Sequence, residues 1–155
     1  MARSVRIIGI GNAFRHDDAA GLIVARQIAL RAPPEIDVIE HKGDGAALID
    51  AWRGADNVIL IDALQSGCAT GTILQLNALA TPVPSAYFCC STHAFNVAEA
   101  IELARALNLL PARLELFGIE GRDFSSGEGL SAEVERAIDE AAVRILNLAC
   151  EFSKN

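Results

Sequence analysis

The sequence predicts an α/β fold. The expected architecture is a three-layer αβα sandwich around a twisted, mostly parallel sheet of about five strands, one of them an antiparallel edge strand. Three observations carry this reading. Short β-rich runs at residues 5–10, 37–40, 58–61 and 114–119 alternate with helical stretches along nearly the whole chain. Strands separated by helices pair in parallel and are covered on both faces. Apolar residues make up 52% of the chain, and 27 residues are Ala, small enough to line close helix–sheet contacts. With 155 residues and no internal repeat or linker, residues 1–155 are expected to form one domain.

Each element has its own signal. The first run ends in Gly9-Ile10-Gly11, suited to a buried strand followed by a tight turn. Asp17 or Asp18 can then cap a helix reaching about residue 31, which Pro33-Pro34 stop. After the strand at 37–40, Gly43-Asp44-Gly45 opens a short helix over 46–52. The run 58–61 is β-branched or Leu throughout and closes with Asp62. Residues 72–76 follow too soon for a crossover helix, so they are expected to form the antiparallel edge. A Pro-containing loop over 77–90 leads to Ser91-Thr92, natural N-caps for a helix from His93 to about Leu107. The last helix is the clearest: after Ser131, the positions Val134, Ile138, Ala141, Ile145, Leu148 and Phe152 recur with helical period.

Charge narrows the function classes. The 13 Lys and Arg stand against 20 Asp and Glu, a formal net charge of −7. Such a field repels phosphate backbones and anionic lipid, which argues against nucleic-acid and membrane-surface roles. Residues 63–98 carry no Asp, Glu, Lys or Arg, but Gly67, Gly71, Pro82 and Pro84 interrupt them, so no membrane span is expected. Arg3 and Arg6 flank too short an apolar run for a secretory signal. Cys68, Cys89, Cys90 and Cys150 form no C-x-x-C pair, and free thiols suit a reducing cytoplasm. The expected setting is cytoplasmic.

Ligands of an open α/β sheet bind outside the carboxyl ends of its strands. Polar residues gather there: Asn12, His16, Asp17 and Asp18 after the first strand, His41 and Asp44 after the second, Asp62 at the third, and Glu120, Arg122 and Asp123 after the last. His93, placed at a helix start, faces the same edge. A dinucleotide reading of Gly9-Ile10-Gly11 lacks its third glycine, since position 14 is Phe, and Asp17-Asp18 would repel a pyrophosphate. Cys89 or Cys90 with His93 offers a cysteine-hydrolase alternative, although nothing in the sequence lowers a thiol pKa. A metal- or nucleotide-binding module without catalysis is the non-enzymatic alternative. Asp18, Asp62 and His93 come from three elements, and carboxylate plus imidazole donors suit borderline divalent ions. The bland alternative is a cap, a strand end and a half-buried polar residue. Spacing alone does not decide between them.

The segment Gly9-Ile10-Gly11-Asn12, Asp17-Asp18 and Gly21 resembles the signature of the hydrogenase maturation proteases. The resemblance continues through Gly43-Asp44-Gly45, the run 58–63, Ser91-Thr92-His93, Gly118-Ile119-Glu120 and Gly129-Leu130-Ser131. It spans roughly residues 5–150. It implies an endopeptidase that removes the C-terminal extension of a nickel–iron hydrogenase large-subunit precursor after nickel has been installed there. It implies further that Asp18, Asp62 and His93 contact that nickel, supplied by the precursor, and serve as the catalytic set. Two departures stand out. The first ligand is often Glu in the family, so Asp18 is one methylene shorter and Asp17 is a conceivable substitute. Gly43-Asp44-Gly45 replaces a Gly-Gly-Thr type found in some members. His16 and His41 are expected to stand behind the ligands or face solvent.

Overall fold

In the computed structural model, which describes residues 3–88, 91–93 and 95–155, the run Val5–Ile10 forms strand β1. Its neighbours are β2 (Ile36–His41) on one side and β3 (Asn57–Leu64) on the other, both parallel to it. Strand β4 (Ile73–Asn77) is the antiparallel edge expected from the short connection before it. It pairs with β5 (Arg113–Glu120), which lies parallel against β3. The sheet order is β2-β1-β3-β5-β4.

Period-two alternation sorts the strand side chains into two cores. Ile7, Ile59, Ile61 and Phe117 pack with helices α1 (Ala20–Ala29) and α4 (Ala132–Lys154). Ile8, Val58, Leu60 and Leu116 pack on the other face with α2 (Gly45–Trp52) and α3 (Val97–Ala106). All eight residues of β3 are buried. Close packing explains Gly9 and Gly21. A Cβ at Gly21 would run into the carbonyl oxygens of Ile10 and Ile61, and one at Gly9 would meet Ala25 and the Gly21 carbonyl. Helix α1 therefore lies almost directly on β1 and β3. No helix among the described residues is long and apolar enough to cross a membrane.

Three boundaries differ from the sequence expectation. Neither Asp17 nor Asp18 caps an α-helix. Both lie in a 3-10 turn, His16–Ala19, that precedes α1. Strand β3 does not stop at Asp62, because its pairing with β5 continues to Leu64 opposite Glu120. Helix α3 starts at Val97 rather than His93. Asn96 caps it, accepting from the Glu99 amide while the Glu99 carboxylate accepts from the Asn96 amide, a reciprocal pair that Ser91 and Thr92 cannot match. His93 thus belongs to the loop before the helix.

The first crossover helix, α1, and the second, α2, cover opposite faces of the sheet. The strand order reverses at β1, so a crevice opens between the carboxyl ends of β1 and β3.

Candidate active site

That crevice is a cavity of about 570 Å³. Its walls are residues 10–15 after β1, 40–43 at the end of β2, Asp62 and Ala63 of β3, and Tyr87, Phe88 and His93 of the loop before α3. Asp18, Asp62 and His93 all line it. Each arrives from a different element: Asp18 from the 3-10 turn after β1, Asp62 from β3, and His93 from the loop entering α3.

Asp62 shares a sheet face with Leu60 and Leu64 by strand alternation, and only 6% of it is exposed. One carboxylate oxygen accepts from the Ala63 amide at 2.8 Å. Burial pushes its pKa well above the usual carboxylate range, and the charge of Asp18 adds to the push. The Asp18 carboxyl is also raised, chiefly by burial. The Arg15 guanidinium, 3.9 Å away, opposes that shift, as do the Asn12 amide and His93. Two carboxyls that burial disfavours as anions, facing one cavity, form a site that a cation would relieve. Among the described residues, no three His, Cys, Asp or Glu side chains stand close enough to share one ion. The three expected ligands are thus gathered on one cavity but not drawn together as a ligand cage.

Asp17 has a different task. It is fully buried, and its carboxylate accepts from the Arg122 and Asp123 amides and from both the amide and hydroxyl of Ser131, at 2.7–3.0 Å. Burial alone would raise its pKa, but these bonds outweigh it and hold the carboxyl below the ordinary value. Asp17 ties the turn after β1 to the loop after β5 and to the start of α4. It therefore does not substitute for Asp18. The Ser131 hydroxyl, engaged with Asp17, gives α4 no side-chain cap.

The remaining candidates separate cleanly. Glu120 is buried and accepts from the Ser66 and Gly67 amides, pinning the loop after β3. Arg122 pairs with Glu133. His16 has φ +45° and its Nδ1 lies 3.0 Å from the Gly129 carbonyl, away from the cavity wall. His41 does line the cavity. Its Nδ1 accepts from the Gly43 amide at 2.8 Å, and burial holds its pKa below the ordinary value. Cys89 and Cys90 lie outside the described residues.

Sequence reasoning missed Arg15 and the aromatic wall of Phe14, Tyr87, Phe88 and Phe124. The spacing of Arg15 three residues before Asp18 was a usable signal for the first. The aromatic residues come from distant loops and carry no local pattern.

A family model for hydrogenase maturation protease matches residues 23–148. The chain is similar to the hydrogenase expression/formation protein HoxM of Azotobacter vinelandii, 26% identical over 153 residues, which are 97% of this chain and 72% of that protein. Similarity to HupD of Thiocapsa roseopersicina is 24% over 151 residues, 96% of this chain and 68% of that one. The fold matches the hydrogenase maturating endopeptidase HybD of E. coli with a TM-score of 0.78 at 23% identity, covering 96% and 93% of the two chains. It matches the NiFe hydrogenase maturation protease HybD of Thermococcus kodakarensis with a TM-score of 0.70 at 25% identity, covering 94% and 99%. The sequence motifs, the sheet order and the family match agree, and the chain belongs to the hydrogenase maturation protease family.

Proposed function

We propose that this chain is a cytoplasmic endopeptidase that removes the C-terminal extension from a nickel–iron hydrogenase large-subunit precursor once nickel is in place. The observation that carries the reading is the meeting of Asp18, Asp62 and His93 on one cavity, in a chain the family model spans from residue 23 to 148. Nickel belongs to the substrate in this scheme. Asp18, Asp62 and His93 receive it, and its charge offsets the burial that disfavours both carboxylates. A divalent ion beside the scissile bond supplies a Lewis acid for its carbonyl, or an acidified water as nucleophile. The cavity's lining, with aromatic residues such as Tyr87 and Phe88 beside polar ones such as Asn12 and Gln65, offers the precursor's tail both apolar and polar partners.

The test is a cleavage assay on a large-subunit precursor, nickel-loaded or nickel-free. The loaded precursor should be cut and the nickel-free one left intact. His93→Ala should abolish cutting while circular dichroism shows the chain still folded. Equal cleavage of both precursors would overturn the nickel-recognition reading. The double substitution Cys89→Ala/Cys90→Ala should leave cleavage largely unchanged. Loss of cleavage in that folded variant would favour thiol chemistry instead.

A further inference from the structure

The segment His41–Gly45 has so far had no task beyond leading β2 into α2, yet it contacts the loop entering α3 at His93 and again at Phe95. His93 Nε2 lies 2.7 Å from the Lys42 carbonyl oxygen. A carbonyl oxygen only accepts, so Nε2 carries the hydrogen and donates it. Gly43 turns that carbonyl toward the ring. Its φ is +94°, its amide is held by His41 Nδ1 at 2.8 Å, and a Cβ there would lie 3.7 Å from His93 Cδ2 and 3.0 Å from Ile10 Cγ2. Two residues on, the Gly45 amide donates to the Phe95 carbonyl at 3.2 Å, and a Cβ on Gly45 would occupy the space of the Phe95 ring. The two glycines therefore form a seat, one gripping the imidazole and the other the backbone that follows it.

From this geometry we infer that the Lys42–Gly43 turn is a positioning element. Its carbonyl holds His93 as the Nε2–H tautomer and leaves Nδ1 as the nitrogen that receives the precursor's nickel. This rests on the endopeptidase reading above. Histidine ligands commonly donate their second ring N–H to a carbonyl or carboxylate, which sets both ring orientation and basicity. Here the donor nitrogen and its acceptor are assigned, and the acceptor is a backbone atom. That makes the requirement fall on the conformation at Gly43 rather than on any side chain at position 42.

The chain has three histidines, so a long-range proton–nitrogen correlation spectrum of histidine-labelled protein can read each ring. It is recorded on the free protein at about pH 8, above the ordinary histidine range, with peaks assigned by His16→Gln and His41→Gln. His93 should appear as Nε2–H. His16, whose Nδ1 faces the Gly129 carbonyl, should appear as the opposite tautomer and serves as an internal control. In Gly43→Ala the strained turn moves the Lys42 carbonyl, so His93 should show mixed tautomers while His16 is unchanged. The kcat/KM on nickel-loaded precursor should fall about 10- to 100-fold, as when a ligand's supporting hydrogen bond is lost. Gly43→Asn, which tolerates positive φ better, should recover part of both signals. A His93 found as Nδ1–H in the unsubstituted chain would overturn the inference. So would Gly43→Ala with spectrum and kcat/KM both unchanged. Absence of cleavage by the unsubstituted chain would sink the endopeptidase reading and leave the tautomer, read on the free protein, standing.

Discussion

Adjacent carboxylates at 17 and 18 divide two kinds of work, and the same substitution at each should expose it. Asp17→Asn replaces an acceptor oxygen with an NH₂ that must face the amides of Arg122, Asp123 or Ser131. Leaving such buried donors unmatched should cost about 3 kcal/mol, and about 6–12 °C in Tm for a chain of this size. Asp18→Asn should raise Tm slightly at pH 7, because it removes a charge that burial disfavours, yet it should abolish precursor processing. Thermal melts beside cleavage assays read both. The pH dependence has a sign for each group. Asp17 has its pKa depressed in the folded chain, so its stabilisation is present above the ordinary carboxylate value and is lost as pH falls below it. Asp62 is raised, so its contribution is fully present below the ordinary value and is lost as pH rises toward the folded one. Asp62→Asn should therefore raise Tm at pH 7, lose that gain below about pH 4, and still eliminate processing. An unchanged Tm at pH 7 would refute this account of Asp62. The pair itself was legible in the sequence. Which member was structural was not, because the partners of Asp17 lie more than 100 residues away along the chain.

At the level of elements, strands were easier to read than helix starts. The β-branched runs lie in the sheet core and tolerate little else, so their composition gave them away. Their ends were harder, because pairing rather than composition sets them: Leu64 opposite Glu120 carries β3 past an aspartate that looked like a terminator. The start of α3 was misplaced although its signal was present. Asn96-Val97-Ala98-Glu99 has capping-box spacing, but Ser91-Thr92 came first and offered an ordinary cap. The consequence is chemical, since His93 leaves the helix and gains its support from the turn at Lys42 instead. Asn96 also donates to the Ser85 hydroxyl at 2.9 Å, joining α3 to the 3-10 turn Ser85–Phe88, which carries Tyr87 and Phe88 of the cavity lining. Asn96→Ala should cost about 1 kcal/mol and about 2–4 °C in Tm. An Asn96→Ser variant, which keeps a capping oxygen but not the bond to Ser85, should recover most of the stability. Equal losses in both variants would mean that the Ser85 bond, not the cap, holds this end of the helix.

For the whole molecule, topology explains why the cavity gathers its donors, and the proposed function carries a prediction about whether it keeps a metal alone. The reversal of strand order at β1 draws Asp18 and Asp62 to one crevice, and the loop entering α3 brings His93 over it. Three separate elements thus supply the donors, yet among the described residues no three of them stand within reach of one ion. The two carboxylates have present partners, Arg15 beside Asp18 and the Ala63 amide on Asp62, while the Lys42 carbonyl holds the other ring nitrogen of His93. In the proposed scheme the donors are drawn inward by an ion that already carries other ligands and arrives on a bound polypeptide. A bare ion gains only three protein donors and leaves positions open to water, which does not make a closed structural site. The purified chain should hold well under one equivalent of nickel or zinc by elemental analysis. Brief treatment of the chain alone with a chelator, followed by its removal, should leave the rate on nickel-loaded precursor unchanged. The same chain should then bind loaded precursor more tightly than nickel-free precursor, with Asp18→Asn erasing the difference. A stoichiometric metal that survives dialysis, or activity lost to the chelator and restored by added metal, would make the ion a resident of the enzyme and overturn the assignment of nickel to the substrate.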